Sequence, residues 1–243
     1  MKKILSQLAN QLGFEISRKN PKIEDPLDEV IFDSVSDFTM TSQQRILSVI
    51  DSIRYVSRNR IPGAIVECGV WRGGSSMAAA LTLLQEKDVS RRLYLFDTYT
   101  GMTMPTDRDV SIDGSLAKDQ FPRDQSSWCA ADLEDVRRNM FSTGYPKEGI
   151  DFIVGPVEET IKPTSGPSDI ALLRLDTDWY ESTRHELVHL FPRISIGGVL
   201  IIDDYGHWQG ARKAVDEYFS EHDLHYLLHR IDYSGRMLIK TKV

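Results

Sequence analysis

Residues 65–75 of the chain read IVECGVWRGGS. An apolar run ends in an acid, Glu67, and then passes through glycines that include Gly69 and Gly73 before a helical segment starts at Ser75. Glycines permit a tight turn and a close approach of the backbone, and the first turn of a helix presents free N–H groups to an anionic part of a ligand. The stretch therefore predicts a strand, loop and helix that hold a nucleotide-type ligand.

The spacing of this motif is E-x-G-x-x-x-G, which disfavours the dinucleotide fingerprint G-x-G-x-x-G and therefore NAD or FAD. It is typical of methyltransferases that bind S-adenosylmethionine (SAM). The next apolar run, residues 93–96, is followed by Asp97, where a carboxylate can accept both ribose hydroxyls of this donor. A purely structural loop and an acid that only forms a turn are the alternatives. The predicted donor-binding residues are Glu67, Gly69, Gly73, Ser75 and Asp97.

Outside this motif, apolar runs bounded by Gly, Pro and Asp alternate with helical segments, a pattern typical of a parallel sheet covered on both faces. We predict an α/β, Rossmann-like class I methyltransferase fold with a seven-stranded, mostly parallel sheet. The predicted strands are 64–68, 93–96, 151–154, 170–175, 199–202, 224–229 and 236–240. The predicted helices are 41–58, 75–85, 132–141, 182–191 and 211–220.

Two segments lie outside the sheet pattern. Residues 1–40 are predicted to form an N-terminal arm, and residues 41–243 a single domain. The polar stretch 103–131 is longer than an ordinary loop, and such loops are usually lids or binding loops. We therefore predict a lid-like insertion there, with a plain surface insertion as the alternative.

Acids also follow two later strands, in RLDTD at 174–178 and IIDDY at 201–205. Because neighbouring parallel strands end at the same edge of a sheet, these carboxylates should share one crevice beside the donor. A bound cation would offset the repulsion between these carboxylates, and Mg²⁺ is a cation that prefers oxygen ligands. Such an ion lowers the pKa of a bound substrate hydroxyl, and a carboxylate can take the proton. His207 follows the second group and is a candidate to meet the acceptor, whereas acids that only cap a turn or face solvent remain the alternative.

The sequence has 29 basic and 36 acidic side chains, a formal net charge of −7. This balance disfavours nucleic acid or anionic membrane as a partner and favours a small-molecule ligand. The chain start, MKKILSQ, lacks the apolar run of a signal peptide, and no window approaches eighteen apolar residues. The two cysteines indicate reduced thiols. We therefore predict a cytoplasmic protein without a membrane span.

A different reaction class is suggested by His185, Glu186 and His189, which form an H-E-x-x-H motif of the zinc-protease type. On a helical wheel the two histidines lie nearly opposite the apolar face that contains Leu187 and Leu190. A zinc-dependent hydrolase is therefore the weaker hypothesis, since it would also leave the glycine loop and the acids unexplained. A SAM-binding protein without turnover is a third possibility.

Five stretches together resemble the macrocin O-methyltransferase family, whose members methylate sugar hydroxyls on macrolide and aminocoumarin antibiotics. They are FTMT at 38–41, IPG at 61–63 with ECGVWRGGS at 67–75, FDTYTGM at 96–102, LRLDTDWYEST at 173–183 and GGVLIIDDY at 197–205.

The resemblance implies that Asp176, Asp203 and Asp204 bind Mg²⁺, that Asp176 is the general base and that Thr41 reaches the donor. It implies Mg²⁺-dependent methyl transfer from SAM to a hydroxyl, on a sugar of a natural product or glycan. His207 is the second residue that we expect at the reacting groups. The identity of this glycosylated small-molecule acceptor and the formation of a homo-oligomer stay open at this stage.

Overall fold

The computed structural model describes residues 21–121, 128–164 and 166–242. Within these residues, seven strands form one sheet in the order β3-β2-β1-β4-β5-β7-β6. The strands are β1 Ala64–Cys68, β2 Leu93–Asp97, β3 Ile150–Val154, β4 Ile170–Leu175, β5 Ile194–Ile202, β6 His229–Arg230 and β7 Arg236–Ile239. The described helices are α1 Pro26–Val35, α2 Gln43–Arg58, α3 Gly74–Gln85, α4 Ala117–Gln120, α5 Leu133–Ser142, α6 Val157–Thr160, α7 Tyr180–Leu190 and α8 Gln209–Glu221.

Strands β1 to β5 are parallel to one another, and β7 runs antiparallel to both β5 and β6. The central strands are buried on both faces, which explains their nearly continuous apolar sequence. Successive side chains point to opposite faces, so that Ile65 packs in one apolar cluster and Val66 in the other. The first cluster lies under α1, α2 and α3, and the second under α7 and α8. The predicted α/β fold with a seven-stranded, mostly parallel sheet is thus confirmed.

The helices form where the sequence offers an apolar stripe and a cap. In α2, Ile46, Ile50 and Ile53 recur at helical spacing and are fully buried. Its N-cap residue, Ser42, accepts a hydrogen bond from the backbone N–H of Arg45 at 3.2 Å. The helix is therefore fixed at its start, and its first turn lies beside the ends of the sheet strands.

One predicted strand is wrong. Residues 224–228 form no regular structure, and β6 is limited to His229 and Arg230. The apolar alternation that suggested a strand has another cause, because Leu224, Tyr226 and Leu228 pack their half-buried side chains against the second apolar cluster. The residue between the last two, Leu227, is 86% exposed. The predicted strand 199–202 is also too short, since β5 already begins at residue 194.

Both segments outside the sheet pattern have described residues that contact the rest of the domain. In the arm, α1 buries Ile31 and Val35 in the first apolar cluster, while residues 1–20 lie outside the described part. In the stretch 103–131, residues 122–127 are not described, and Val110 and Ser111 form isolated bridges to Leu116 and Trp208. A lid-like role for this stretch stays a prediction. Within the described residues, no helix has the length and apolar character needed to cross a membrane.

Candidate active site

The glycine loop after β1 has the backbone geometry that its sequence requires. Gly69 and Gly73 have φ angles of +82° and +93°, in the left-handed region that side chains other than glycine rarely adopt. A Cβ atom on Gly69 would overlap the carbonyl oxygen of Asp176. The loop after β1 therefore touches the loop after β4, and this contact brings the first glycine next to the acids.

Asp97, at the end of β2, holds the glycine loop in place. Its Oδ2 atom accepts the backbone N–H groups of Val70 at 2.6 Å and Trp71 at 3.0 Å. Its Oδ1 atom accepts the N–H of Tyr99 at 2.8 Å. The Thr98 hydroxyl lies 3.4 Å from the same Oδ1 atom, so of the about four acceptor positions of a carboxylate at most one remains for a ligand. Asp97 thus forms a turn, as the alternative interpretation expected, and it also lines a cavity.

This first cavity, of about 690 Å³, opens at the carboxyl ends of β1 to β4. The loops after β2 and β3 form one side, and the loop after β4 forms the other. The lining includes Met40, Gly69, Trp71, Phe96, Asp97, Gly155, Val157, Asp176 and Asp178.

A second cavity, of about 870 Å³, adjoins the first and shares Met40, Trp71, Asp176 and Asp178 with it. Its lining includes three site residues that were predicted from the sequence and lie on different parts of the chain, namely Thr41, Ser75 and His207. Further lining residues are Arg45, Trp128, Arg174, Asp203, Asp204 and Trp208. The acids after β4 therefore stand at the boundary between the two cavities.

Three carboxylates converge at this boundary. One oxygen each from Asp176, Asp178 and Asp204 lies within 4.8 Å of the others. Burial raises the pKa of all three carboxyls, and nearby carboxylates such as Asp203 raise it further. For Asp178 the pKa rises to about 6. The positive charges of Arg174 and Arg45 lower the pKa of Asp176 and Asp178 respectively, but they offset only part of the effect of burial and repulsion.

Asp203 is not part of this cluster. Arg174 donates to its Oδ1 atom at 2.5 Å, and Arg45 donates to its Oδ2 atom. The Thr41 hydroxyl lies 3.4 Å from the same Oδ2 atom. Both oxygens are therefore paired with arginines, whereas Asp178, which the resemblance did not assign, occupies the third position. The ligand set expected from the resemblance differs from this arrangement at one residue.

Arg174 connects the acids beneath the site. Its Nη1 atom donates to Glu67 at 2.6 Å and to Asp176 at 2.7 Å. Glu67 is 4% exposed, accepts a second hydrogen bond from Ser76 and lines neither of the two cavities. Although the sequence placed Glu67 among the donor-binding residues, its carboxylate is used to join β1 to β4.

His207 lines the second cavity. Its ring packs edge-on against Trp208 with centroids 4.9 Å apart, and its Nδ1 atom is 3.5 Å from the Tyr233 hydroxyl. Burial, together with the positive charge of Arg45, lowers the pKa of the imidazole. His207 is therefore neutral near pH 7 and can form a hydrogen bond without carrying charge.

The H-E-x-x-H motif does not form a zinc-protease site. The rings of His185 and His189 lie 4.4 Å apart, and His185 Nε2 is 2.9 Å from the carbonyl oxygen of Ile161. Glu186 is completely buried elsewhere, where it accepts the Thr177 hydroxyl at 2.9 Å. Among the described residues, the group able to hold a metal consists of the three aspartates and includes neither histidine.

Several functional residues were not identified from the sequence. Arg174 had a signal, since a charged residue between Leu173 and Leu175 in a buried strand must find charged partners. No sequence pattern indicated a role for Arg45, because its partner Asp203 lies 158 residues away. Trp208 likewise gave no signal, although its indole hydrogen-bonds Asp178 and lowers the pKa of that carboxyl.

The comparison with known families agrees with this geometry. The family model for macrocin-O-methyltransferase (TylF) matches residues 3–240. The chain belongs to the macrocin O-methyltransferase family. The resemblance noted in the sequence is thereby confirmed, and the chain is a SAM-dependent O-methyltransferase.

Two relatives show how far the similarity extends. The demethyldecarbamoylnovobiocin O-methyltransferase of Streptomyces niveus is 34% identical over 206 residues, which are 84% of this chain and 76% of the relative. The mycinamicin III 3''-O-methyltransferase of Micromonospora griseorubida is 32% identical over 198 residues, which are 81% of this chain and 76% of the relative. Both alignments thus cover more than four fifths of this chain.

Solved structures agree on the fold. The O-methyltransferase NovP superposes with a TM-score of 0.73 at 32% identity, covering 84% of this chain and 83% of that one. The calicheamicin methyltransferase CalS11 gives a TM-score of 0.60 at 19% identity and covers 93% of this chain and 99% of that one. The more distant match shows the fold alone.

Proposed function

We propose that this member of the macrocin O-methyltransferase family transfers a methyl group from SAM to a sugar hydroxyl of a glycosylated small molecule, with Mg²⁺ at the three-aspartate cluster. The observation that carries the proposal is the shared boundary of the two cavities, where Asp176 and Asp178 face both. Three relatives have names that describe O-methylation of natural products, which supports the acceptor class.

The donor is assigned to the first cavity. The loops after β2 and β3 give it an apolar side that includes Phe96 and Val157, suitable for adenine. Asp97 also lines this cavity and would accept one ribose hydroxyl. Toward the glycine loop and the start of α3, the cavity adjoins the second one, so the reactive end of the donor would lie near Asp176. Ser75, at the start of α3, offers a polar group there.

The residues present fit a divalent cation. Three carboxylate oxygens converge. Burial and mutual repulsion raise the pKa values of these carboxyls, which means that their charged forms are unfavourable. A bound cation would make the charged forms favourable. An all-oxygen set suits Mg²⁺. Asp176, Asp178 and Asp204 would hold the ion, which when bound would polarise the acceptor hydroxyl. Asp203 would act indirectly, through Arg45 and Arg174.

The protein's own groups then account for proton transfer and orientation. In the proposed transfer the acceptor oxygen would attack the donor methyl carbon, the donor sulfur would leave as a thioether, and Asp176 would take the hydroxyl proton. This carboxylate suits the role because its side chain is 28% exposed and Arg174 fixes its direction. His207 and Trp208, in the second cavity, would contact the sugar through a hydrogen bond and an aromatic surface.

Asp97→Ala is expected to weaken SAM binding and also to lower stability. Three backbone N–H groups lose their acceptor in this variant. We expect a cost of about 1–3 kcal/mol for groups left without partners. Calorimetry with S-adenosylhomocysteine and urea unfolding would measure the two effects. Donor affinity equal to that of the unmodified protein would remove Asp97 from the donor site.

The function is tested by methyl transfer from labelled SAM to mycinamicin III and to demethyldecarbamoylnovobiocin, the acceptors in the relatives' names. We expect turnover on a glycosylated acceptor, loss of turnover in EDTA and recovery when Mg²⁺ is added back. Donor affinity should change much less, since Gly69, Gly73 and Asp97 lie outside the metal cluster. Full activity in EDTA would contradict the metal-assisted mechanism while leaving methyl transfer in place.

A further inference from the structure

We propose that Asp109, in the stretch 103–121, is a positioning residue that sets the relative placement of the two loops carrying the metal-binding aspartates. The inference rests on the proposed function, because it concerns the same three-aspartate cluster. Asp176 and Asp178 come from the loop before α7, whereas Asp204 comes from the loop before α8. Their convergence therefore depends on how the starts of two separate helices are held together.

Asp109 caps α7 from a distant part of the chain. It is 0% exposed, and its Oδ1 atom accepts the backbone N–H of Tyr180, the first residue of α7, at 2.8 Å. The N-cap residue itself, Trp179, provides no side-chain hydrogen bond. A carboxylate at this end of a helix satisfies a free N–H group and interacts favourably with the helix dipole. Asp109 thus supplies the cap that the local sequence lacks.

The same residue contacts the start of α8. A Cβ atom on Gly210, in the first turn of α8, would overlap the Oδ1 atom of Asp109. The adjacent Gln209 donates its backbone N–H to the carbonyl oxygen of Val110 at 2.8 Å. The two helix starts are therefore packed on one short segment, residues 109–110, and a glycine at 210 is required for this close approach.

Asp109 is itself held firmly. Its Oδ2 atom accepts the backbone N–H of Thr106 at 2.7 Å and the Thr106 hydroxyl at 2.9 Å. Its carbonyl oxygen accepts the N–H of Ala117 at 2.8 Å. Both carboxylate oxygens are used within the protein, and Asp109 lines neither of the two cavities that border the aspartate cluster. It is therefore placed to support the site and not to contact a ligand.

The loop that Asp109 supports needs such constraint. Asp178 has a φ angle of +66°, in the left-handed region that Asp adopts more readily than most residues but that is held most firmly when the surroundings fix it. A second bond joins the same segments, because the indole of Trp179 donates to the carbonyl oxygen of Thr103 at 2.9 Å. Loss of the Asp109 cap should let the first turn of α7 shift and spread the aspartates apart.

The test compares Asp109→Ala and Asp109→Asn with Asp107→Asn, an acid in the same stretch whose side chain is 81% exposed. Calorimetry measures Mg²⁺ affinity and S-adenosylhomocysteine affinity, and a methyl-transfer assay gives kcat. For Asp109→Ala we expect Mg²⁺ affinity to fall by about tenfold or more, as is typical when the supports of metal ligands are removed. Donor affinity should be retained. Asp109→Asn keeps an oxygen for the Tyr180 N–H and should lose less, and Asp107→Asn should lose nothing.

Unchanged Mg²⁺ affinity in folded Asp109→Ala would overturn the inference. If circular dichroism shows that this variant does not fold, Asp109→Asn decides, and Mg²⁺ affinity equal to that of Asp107→Asn would overturn it. If the unmodified protein itself binds no Mg²⁺, the proposed metal site fails separately. In that case kcat decides, and an Asp109→Ala enzyme as fast as Asp107→Asn would contradict the positioning role.

Discussion

Asp176→Asn is expected to lower kcat for methyl transfer by at least about a hundredfold, the usual lower bound for removing a general base. The substitution keeps the shape of the side chain but removes a charge from the cluster and the proposed proton acceptor. The Nη1 atom of Arg174, now 2.7 Å from Asp176, also loses half of its charged partners. Donor binding should be retained, since the loop held by Asp97 is built separately.

A matched control for this variant is Asp169→Asn, an exposed acid just before the opposite end of β4. It changes the net charge by the same amount far from the cavities and should leave kcat unaltered. The measurement is steady-state methyl transfer at saturating Mg²⁺, with S-adenosylhomocysteine calorimetry on the same preparations. An Asp176→Asn enzyme as fast as the control would exclude Asp176 as the base.

Arg174→Met is expected to destabilise the fold by about 3–5 kcal/mol, the range typical of removing one partner from a buried ion pair. Arg174 is 4% exposed and is paired with Glu67, Asp176 and Asp203. Without the guanidinium, Glu67 would have to protonate or stay unpaired in a region with little access to water, and Asp203 would keep Arg45 alone. The variant should therefore unfold at a much lower urea concentration.

The control for this effect is Arg92→Met. Arg92 forms an ion pair with Asp151, but its side chain is 49% exposed, and exposed pairs contribute at most about 1 kcal/mol. Adding Glu67→Gln to Arg174→Met should recover part of the lost stability, because one buried charge is removed with its partner. Equal urea midpoints for Arg174→Met and Arg92→Met would show that the buried ion network does not stabilise the fold.

The sequence predicted the sheet because its signals are local. Each signal can be recognised within one short segment of the chain. These signals are the apolar runs of strand length, the glycines at positions 69 and 73, and the acids at the strand ends. The rule that parallel strands end at one edge then placed the aspartates and the glycine loop together. The same local logic failed at residues 224–228, where an alternating apolar pattern serves packing on a cluster instead of strand pairing.

The partners of each carboxylate were decided only by the tertiary structure. Nothing near Asp203 and Asp204 in sequence distinguishes them, yet Arg45 and Arg174 neutralise the first, while the second stands with Asp176 and Asp178. The contribution of Asp109 to α7 likewise depends on a contact across 71 residues. A motif specifies which chemical groups are available. The charge and position of each group, however, depend on neighbours that come close only when the chain folds. The reason is that electrostatic and hydrogen-bond energies depend on distance in space and not on distance along the sequence.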